Sequence, residues 1–204
     1  MFDRVIHYFV RSAAKILAVV FWRIRCFGIK NIRNKQGVLY VSNHQSYLDL
    51  LAVSACIPKS IYYMARVTLN NSLIFRLTTW PFPIIFIDRE KANPHALIES
   101  IEKLKEGKSL LMFPEGTRTK SGKIGNLRMG CWKIARESGV LLVPVRIHGS
   151  YESWPKNKLL PSPGRVSVMF GRPVDAKNIE IETLRSYLEN FWSMPYKDAL
   201  NQLT

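Results

Sequence analysis

A histidine and an aspartate stand five positions apart at the end of an apolar segment. The stretch reads YVSNHQSYLDLL, and the pair is His44 and Asp49. If a helix begins just after His44, Asp49 lies in its first turn and can accept a hydrogen bond from one imidazole nitrogen. The other nitrogen is then free to act as a general base toward a hydroxyl nucleophile. Taken alone the spacing is weak, because a loop histidine before a helix-capping aspartate has the same form.

Two neighbours of this pair have simpler interpretations. Asn43 could hold the loop that carries His44. Ser46 could be imagined as a nucleophile, but its position just before a predicted helix favours capping of that helix. No G-x-S-x-G and no H-E-x-x-H motif occurs in the chain, which argues against a nucleophile elbow and against that type of zinc site.

A second polar loop follows a predicted strand and reads FPEGTRTKSGK. Gly116 lets the backbone approach a ligand closely, and Arg118 can grip a phosphate with two parallel hydrogen bonds. Two lysines add positive charge to the same loop, and Glu115 could orient an arginine or bind a substrate hydroxyl. The composition suits phosphate binding, and the alternative is a basic, solvated turn.

The elements that position these loops follow from the alternation of short apolar runs with longer amphipathic runs. Strands are predicted at residues 38–42, 61–66, 84–87, 109–113, 140–147 and 165–171. Helices are predicted at 46–55, 72–79, 94–107, 126–139 and 180–202. This pattern is typical of an α/β fold, a single domain with a mainly parallel sheet flanked by helices.

Three polar residues lie just past the ends of predicted strands. They are His44, Arg89 and Glu115. Sites in such sheets form at the carboxyl ends of the strands. We therefore expect these residues to share one site.

The net charge of the chain limits the classes of binding partner that are expected. Thirty lysines and arginines against fifteen acidic residues give a formal net charge of +15, which favours nucleic acid, an acidic membrane surface or a phosphorylated substrate. Nucleic acid is disfavoured because the aromatic residues lie in apolar runs and are not interleaved with basic residues. Three cysteines (Cys26, Cys56 and Cys131) without C-x-x-C spacing predict neither a disulfide framework nor a zinc site, and favour a reduced, cytosol-facing environment.

Residues 2–21 have the periodicity of an amphipathic helix. The apolar face comprises Phe2, Ile6, Phe9, Ala13, Leu17 and Val20, and the basic face comprises Arg4, Arg11 and Lys15. We expect residues 1–30 to be a membrane-associating segment and residues 31–204 to be the α/β domain. The alternative is a terminal helix packed on its own core. No apolar run reaches the roughly 18 residues of a membrane span.

Four segments occur in an order that resembles the motif blocks of the glycerolipid acyltransferases. The resemblance is strongest to the 1-acyl-sn-glycerol-3-phosphate acyltransferases and covers residues 38 to about 148. The segments are NHQSYLD (43–49), IIFIDR (84–89), FPEGTRTKSG (113–122) and LLVPVRI (141–147).

The resemblance implies a reaction and its participants. His44, oriented by Asp49, would deprotonate the sn-2 hydroxyl of a lysophosphatidate, whose oxygen attacks an acyl thioester to make phosphatidate. Acyl-CoA or acyl carrier protein would be the co-substrate, with no metal or organic cofactor. The substrate-binding residues implied are Asn43, Arg89, Glu115, Gly116, Thr117, Arg118 and Pro144.

The same resemblance implies a monotopic protein on an anionic membrane surface, at the cytoplasmic face of a bacterial inner membrane. Two alternatives remain at this point. One is acylation of another lysolipid, such as lysophosphatidylethanolamine or a lyso-ornithine lipid, although the cations of the phosphate-binding loop favour lysophosphatidate. The other is a non-catalytic basic protein that binds acidic membranes.

Overall fold

A mainly parallel sheet carries the site. The computed structural model describes residues 12–13, 15–32, 37–57, 59–71, 75–76, 79, 82–88 and 94–203. Its strands are β1 (Arg25–Phe27), β2 (Leu39–Ser42), β3 (Ile61–Arg66), β4 (Ile84–Ile87), β5 (Ser109–Met112), β6 (Leu141–His148), β7 (Ser167–Phe170) and β8 (Val174–Asp175). The described strands lie in the order β1-β7-β6-β2-β5-β3-β4, with β8 also paired to β6.

Strands β2 to β6 all run parallel to one another. Strands β7 and β8 run antiparallel to β6, and β1 runs parallel to β7. The carboxyl ends of five strands therefore meet at one edge of the sheet, which confirms the predicted α/β class.

Helices cover both faces of the sheet. They are α1 (residues 15–22), α2 (Leu48–Cys56), α3 (His95–Lys105), α4 (Gly130–Ser138), α5 (Ser150–Ser153), α6 (Ile181–Ser193) and α7 (Tyr196–Asn201). Helices α3, α4, α6 and α7 contribute to the core on one face, and α2 contributes to the core on the other. Alternate residues of β2 enter the two cores, so all four of its residues are buried.

The six predicted strands are confirmed, and two predicted helices need correction. The helix predicted at 126–139 begins only at Gly130, because the residues before it are held in a loop where Arg128 N–H donates to the Pro114 carbonyl at 3.0 Å. The single helix predicted at 180–202 is two helices, broken where Pro195 cannot continue the first. The helix predicted at 72–79 lies largely outside the described residues.

The expectation about cysteines is wrong. A disulfide joins Cys26 on β1 to Cys56 at the end of α2, with 5.7 Å between the Cα atoms. The two are separated by 30 residues and have no local signature, so only the tertiary fold brings them together. Cys131 is a free, buried cysteine, and burial raises the pKa of its thiol to about 12. The cysteines therefore no longer support a reduced environment.

The described part of the N-terminal helix turns its apolar side outward. Leu17 is 68% exposed and Val20 is 72% exposed, whereas Ala18 is buried. Lys15 points the other way, and its ammonium donates to the Ile57 carbonyl at 3.0 Å. None of the described helices is long and apolar enough to cross a membrane. Residues 1–11 lie outside the described residues, and residues 25–27 of the predicted segment 1–30 belong to the sheet.

The disulfide can be tested by counting thiols. We expect one titratable thiol per chain in denaturant without reductant, and three after reduction. Cys26→Ser should lower the free energy of unfolding by about 2–4 kcal/mol, because an open chain gains conformational freedom when it unfolds. Urea titrations with and without dithiothreitol measure this. A wild-type midpoint that reductant leaves unchanged would contradict the bond.

Candidate active site

His44 and Asp49 form a hydrogen-bonded pair between β2 and α2. His44 Nδ1 lies 2.8 Å from Asp49 Oδ2, and the Asp49 side chain is fully buried whereas that of His44 is 17% exposed. The turn before α2 is closed by Ser46, whose Oγ accepts a hydrogen bond from Leu48 N–H at 3.1 Å. The predicted proximity of the pair and the predicted function of Ser46 are therefore both observed.

Asp49 accepts three hydrogen bonds besides that of His44. Gln45 N–H and Ser46 N–H donate to Oδ2 at 2.6 and 2.9 Å, and Ser150 Oγ donates to Oδ1 at 2.7 Å. An ionised carboxylate only accepts hydrogen bonds, so an imidazole with a single proton carries it on Nδ1 and keeps the lone pair of Nε2 free. Asp49 also lies in the first turn of α2, where the helix dipole favours negative charge.

The face of the imidazole is held by an aromatic ring. Phe113, at the end of β5, stacks on His44 with ring centroids 3.9 Å apart and planes 17° from parallel. Strands β2 and β5 are neighbouring parallel strands, so the residues that follow them share one edge of the sheet. Asp49 fixes the ring from its edge and Phe113 from its face, which leaves it a single orientation.

Glu115 holds the main chain of this loop. Its two carboxylate oxygens accept from His44 N–H at 2.7 Å and from Gly125 N–H at 2.8 Å. Burial raises the pKa of the Glu115 carboxyl, and these two hydrogen bonds oppose that rise. Thr119 N–H in turn donates to the His44 carbonyl at 2.9 Å. Glu115 therefore positions the main chain of the loop, because main-chain N–H groups donate to both of its carboxylate oxygens.

Arg118 is placed for an external anion. Its guanidinium lies over the ring of Tyr47, with Cζ 3.4 Å from the ring centroid, and its Nη1 is buried without a hydrogen-bond partner among the described residues. A cation–π contact, worth about 0.5–2 kcal/mol, leaves the N–H groups of Nη1 unsatisfied. A phosphate oxygen would satisfy them.

The turn that leads to Arg118 depends on a glycine. Gly116 has a φ of +69°, in the left-handed region, and its N–H donates to the Phe113 carbonyl at 3.0 Å. Thr117 follows on the surface and is exposed. The loop therefore places Arg118 on the ring of Tyr47, three residues after His44, while Thr117 faces solvent.

Asn43 and Pro144 lie beneath the site. The Asn43 amide exchanges two hydrogen bonds with the main chain of Ile147, at 3.0 and 2.8 Å, and so extends the pairing of β2 with β6. Pro144 lies within β6 opposite Val41, and a Cβ on Gly171 would come within 2.7 Å of the Pro144 ring. Both residues support the sheet edge. Arg89 lies outside the described residues.

Sequence reasoning missed Ser150, the residue that donates to Asp49 Oδ1. Ser150 is the first residue of α5. Gly149, between β6 and α5, has a φ of +87°, and a Cβ at this position would collide with the Arg165 carbonyl oxygen. The sequence did contain a signal for Ser150, because β6 is another parallel strand and its carboxyl end lies at the same edge of the sheet. Tyr47 and Trp154, whose rings lie 5.2 Å apart, had no such signal.

The comparisons with known proteins show the family of this chain. The family model described as Acyltransferase matches residues 23–148, so the chain belongs to this family. The chain is 25% identical over 182 residues to the 1-acyl-sn-glycerol-3-phosphate acyltransferase LPAT1, chloroplastic, of Arabidopsis thaliana, covering 86% of this chain and 50% of that one. With the 1-acyl-sn-glycerol-3-phosphate acyltransferase of Cocos nucifera it shares 29% identity over 79% of this chain and 53% of that one.

A solved structure has the same fold. The 1-acyl-sn-glycerophosphate (LPA) acyltransferase PlsC from Thermotoga maritima superposes with a TM-score of 0.74 at 28% identity, covering 90% of this chain and 77% of that chain. The chain spans about half the length of the plant relatives it matches. The resemblance predicted from the four segments is confirmed at the level of the family.

The buried carboxylate makes a prediction about stability. Asp49→Asn replaces one acceptor oxygen by an NH₂ group that meets N–H and O–H donors, so we expect the free energy of unfolding to fall by about 1–3 kcal/mol. Glu189→Gln is the control, because Glu189 is exposed on α6, and it should change stability by less than about 0.5 kcal/mol. Urea denaturation of both variants measures the difference. Equal effects would contradict the hydrogen-bond network around Asp49.

Proposed function

We propose that this protein transfers an acyl chain from an acyl thioester to the sn-2 hydroxyl of 1-acyl-sn-glycerol 3-phosphate, making phosphatidate for phospholipid biosynthesis. One observation carries the proposal. His44, whose Nδ1 is hydrogen-bonded to Asp49, lies three residues before Tyr47, and Arg118 stacks on the Tyr47 ring. The buried Nη1 of Arg118 has no hydrogen-bond partner among the described residues. As a general base, His44 requires a hydroxyl to deprotonate, and Arg118 requires an anion to bind. A lysophosphatidate carries both on one small headgroup.

The proposed reaction is a direct transfer. His44 Nε2 takes the proton of the sn-2 hydroxyl as its oxygen forms a bond to the thioester carbonyl carbon. The C–S bond then breaks, and the imidazolium returns the proton to the departing thiol. Asp49 stabilises the imidazolium between these steps. Ser46 favours direct transfer over a covalent acyl-enzyme, because it is fully buried and its Oγ donates to the Trp154 carbonyl at 2.7 Å.

The headgroup pocket is proposed for the loop after β5. Arg118 would bind the phosphate, the exposed Thr117 hydroxyl would face it, and Gly116 would allow its close approach. A phosphate monoester has more charge to offer Arg118 than the headgroup of lysophosphatidylethanolamine or a lyso-ornithine lipid. Arg89 stays a predicted contributor to this pocket.

The donor is proposed to be acyl-CoA or acyl carrier protein, since both are anionic thioesters and the net charge of +15 suits either. The chemistry above requires no metal or organic cofactor. The outward apolar residues of α1 support attachment to one surface of a bilayer. We propose the cytoplasmic face of a bacterial inner membrane, where the acyl thioesters are found.

The proposal is tested by thiol release from palmitoyl-CoA in detergent, with and without lysophosphatidate. His44→Ala should lower acceptor-dependent release by about 10²–10⁴-fold, because it removes the base. His95→Ala is the control, because His95 lies exposed on α3, and it should match the wild type. Release without acceptor would indicate a thioesterase. No transfer to any lysolipid from either thioester would leave a membrane-binding protein without catalysis.

Arg118 gives a separate prediction about the acceptor. Arg118→Ala should raise the KM for lysophosphatidate by about tenfold or more, because a charge-assisted hydrogen bond to phosphate is lost. The KM for palmitoyl-CoA should change far less. Lys133→Ala, a cation exposed on α4, serves as the control. An unchanged KM for lysophosphatidate, measured by initial rates, would contradict phosphate binding by Arg118.

A further inference from the structure

The most exposed large apolar side chains of the described residues lie together at the tip of one loop. Leu159 is 81% exposed and Leu160 is 74% exposed. They belong to the segment WPKNKLLP, residues 154–161, which follows α5 and is called the Leu159 loop below. Two adjacent, outward leucines in an ordered loop point to a partner that takes apolar groups.

The Leu159 loop is a built element. Its ends meet where Ser162 N–H donates to the Ser153 carbonyl at 2.8 Å. Within it, Lys158 N–H donates to the Pro155 carbonyl and Trp154 Nε1–H donates to the Lys158 carbonyl, both at 3.1 Å. Compact loops with close ends of this kind hold their tips in place. The leucines are therefore presented to solvent by defined contacts.

The charge around these leucines has one sign. Lys156, Lys158 and Arg165 are exposed beside them, and no aspartate or glutamate occurs between residues 153 and 174. Apolar side chains flanked only by cations match an anionic bilayer, with the leucines in the acyl region and the cations at the headgroups.

The Leu159 loop is joined to α1. Trp22 Nε1–H, at the end of α1, donates to the Ser162 carbonyl at 2.9 Å, and Val166 N–H donates to the Trp22 carbonyl at 3.0 Å. The outward residues Leu17 and Val20 lie on the same short helix as Trp22. Two exposed apolar groups, far apart in sequence, are thus attached to each other at the base of the loop.

The Leu159 loop also begins at the catalytic site. The Trp154 carbonyl accepts from Ser46 Oγ, and the Trp154 ring packs on Tyr47 at 5.2 Å. Four residues earlier, Ser150 donates to Asp49. A contact made by this loop with a bilayer would therefore fix the distance of His44 from the lipid surface.

We propose that the Leu159 loop inserts Leu159 and Leu160 into an anionic bilayer beside α1, so that a lipid acceptor reaches His44 from the membrane surface. The insertion stands on the loop itself. The delivery of an acceptor rests on the function proposed above.

The test uses the double variant Leu159→Asn/Leu160→Asn in the full chain. Co-sedimentation with phosphatidylcholine vesicles containing phosphatidylglycerol should show partitioning weakened about tenfold or more, because the transfer free energy of two leucines is lost. Ile98→Asn is the matched control. Ile98 is 50% exposed on α3, and α3 packs on the opposite face of the sheet from α2. It should bind vesicles like the wild type. Lys156→Gln/Lys158→Gln should reduce the preference for phosphatidylglycerol over phosphatidylcholine alone.

Enzymatic assays separate this inference from the proposed function. The leucine double variant should keep wild-type transfer to lysophosphatidate in detergent micelles and lose it with lysophosphatidate in vesicles. Vesicle binding by the double variant equal to that of the wild type would overturn the inference, as would a change only in oligomeric state on gel filtration. A wild type inactive in micelles would instead overturn the proposed function, and the vesicle-binding result would still decide the Leu159 loop.

Discussion

A buried carboxylate organises the edge of the sheet that carries the candidate site. Asp49 has no exposed side-chain surface, and an ionised group in that position is stable only if donors replace water around it. The donors come from the His44 ring, from two main-chain N–H groups of the following turn, and from Ser150 after β6. The hydrogen bonds to the Asp49 carboxylate form only if the end of β2, the start of α2 and the end of β6 lie next to one another. The orientation of His44 follows from this arrangement.

The two loops that form the site have different functions. The loop after β2 is held rigidly, because Glu115 and Thr119 bind both polar groups of the His44 main chain and Asn43 binds Ile147. The loop after β5 provides Glu115 and Thr119, and it also leaves the buried Nη1 of Arg118 without a hydrogen-bond partner in the described part of the chain. Rigid placement suits a base that must meet a hydroxyl at hydrogen-bond distance. An unsatisfied cation suits recognition of a phosphate.

The fold could be predicted from sequence because its signals are local. The apolar runs of β2 to β6 and the helical periodicity of α3 indicate βαβ units, and the shared edge of the strands follows from that topology. His44 and Asp49 lie five positions apart and could be paired from a turn of helix alone.

The rest depends on contacts between distant parts of the chain. Ser150 meets Asp49 across 101 residues, and the disulfide joins β1 to α2, which are separated in the chain by β2. Arg118 was predicted as a phosphate ligand, but its stacking on Tyr47 needs both loops to be placed. The exposure of Leu159 and Leu160 needs the loop closed by Ser153 and Ser162.

The central claim is that Asp49 holds the proton of His44 on Nδ1 and leaves Nε2 as the base. Nitrogen-15 NMR of histidine-labelled protein at neutral pH tests it, with the His44 signals assigned from their loss in His44→Ala. We expect the Nδ1–H tautomer of the imidazole, with a hydrogen-bonded Nδ1 proton and an unprotonated Nε2. A His44 in the Nε2–H tautomer, or an even mixture of the two, would contradict the account.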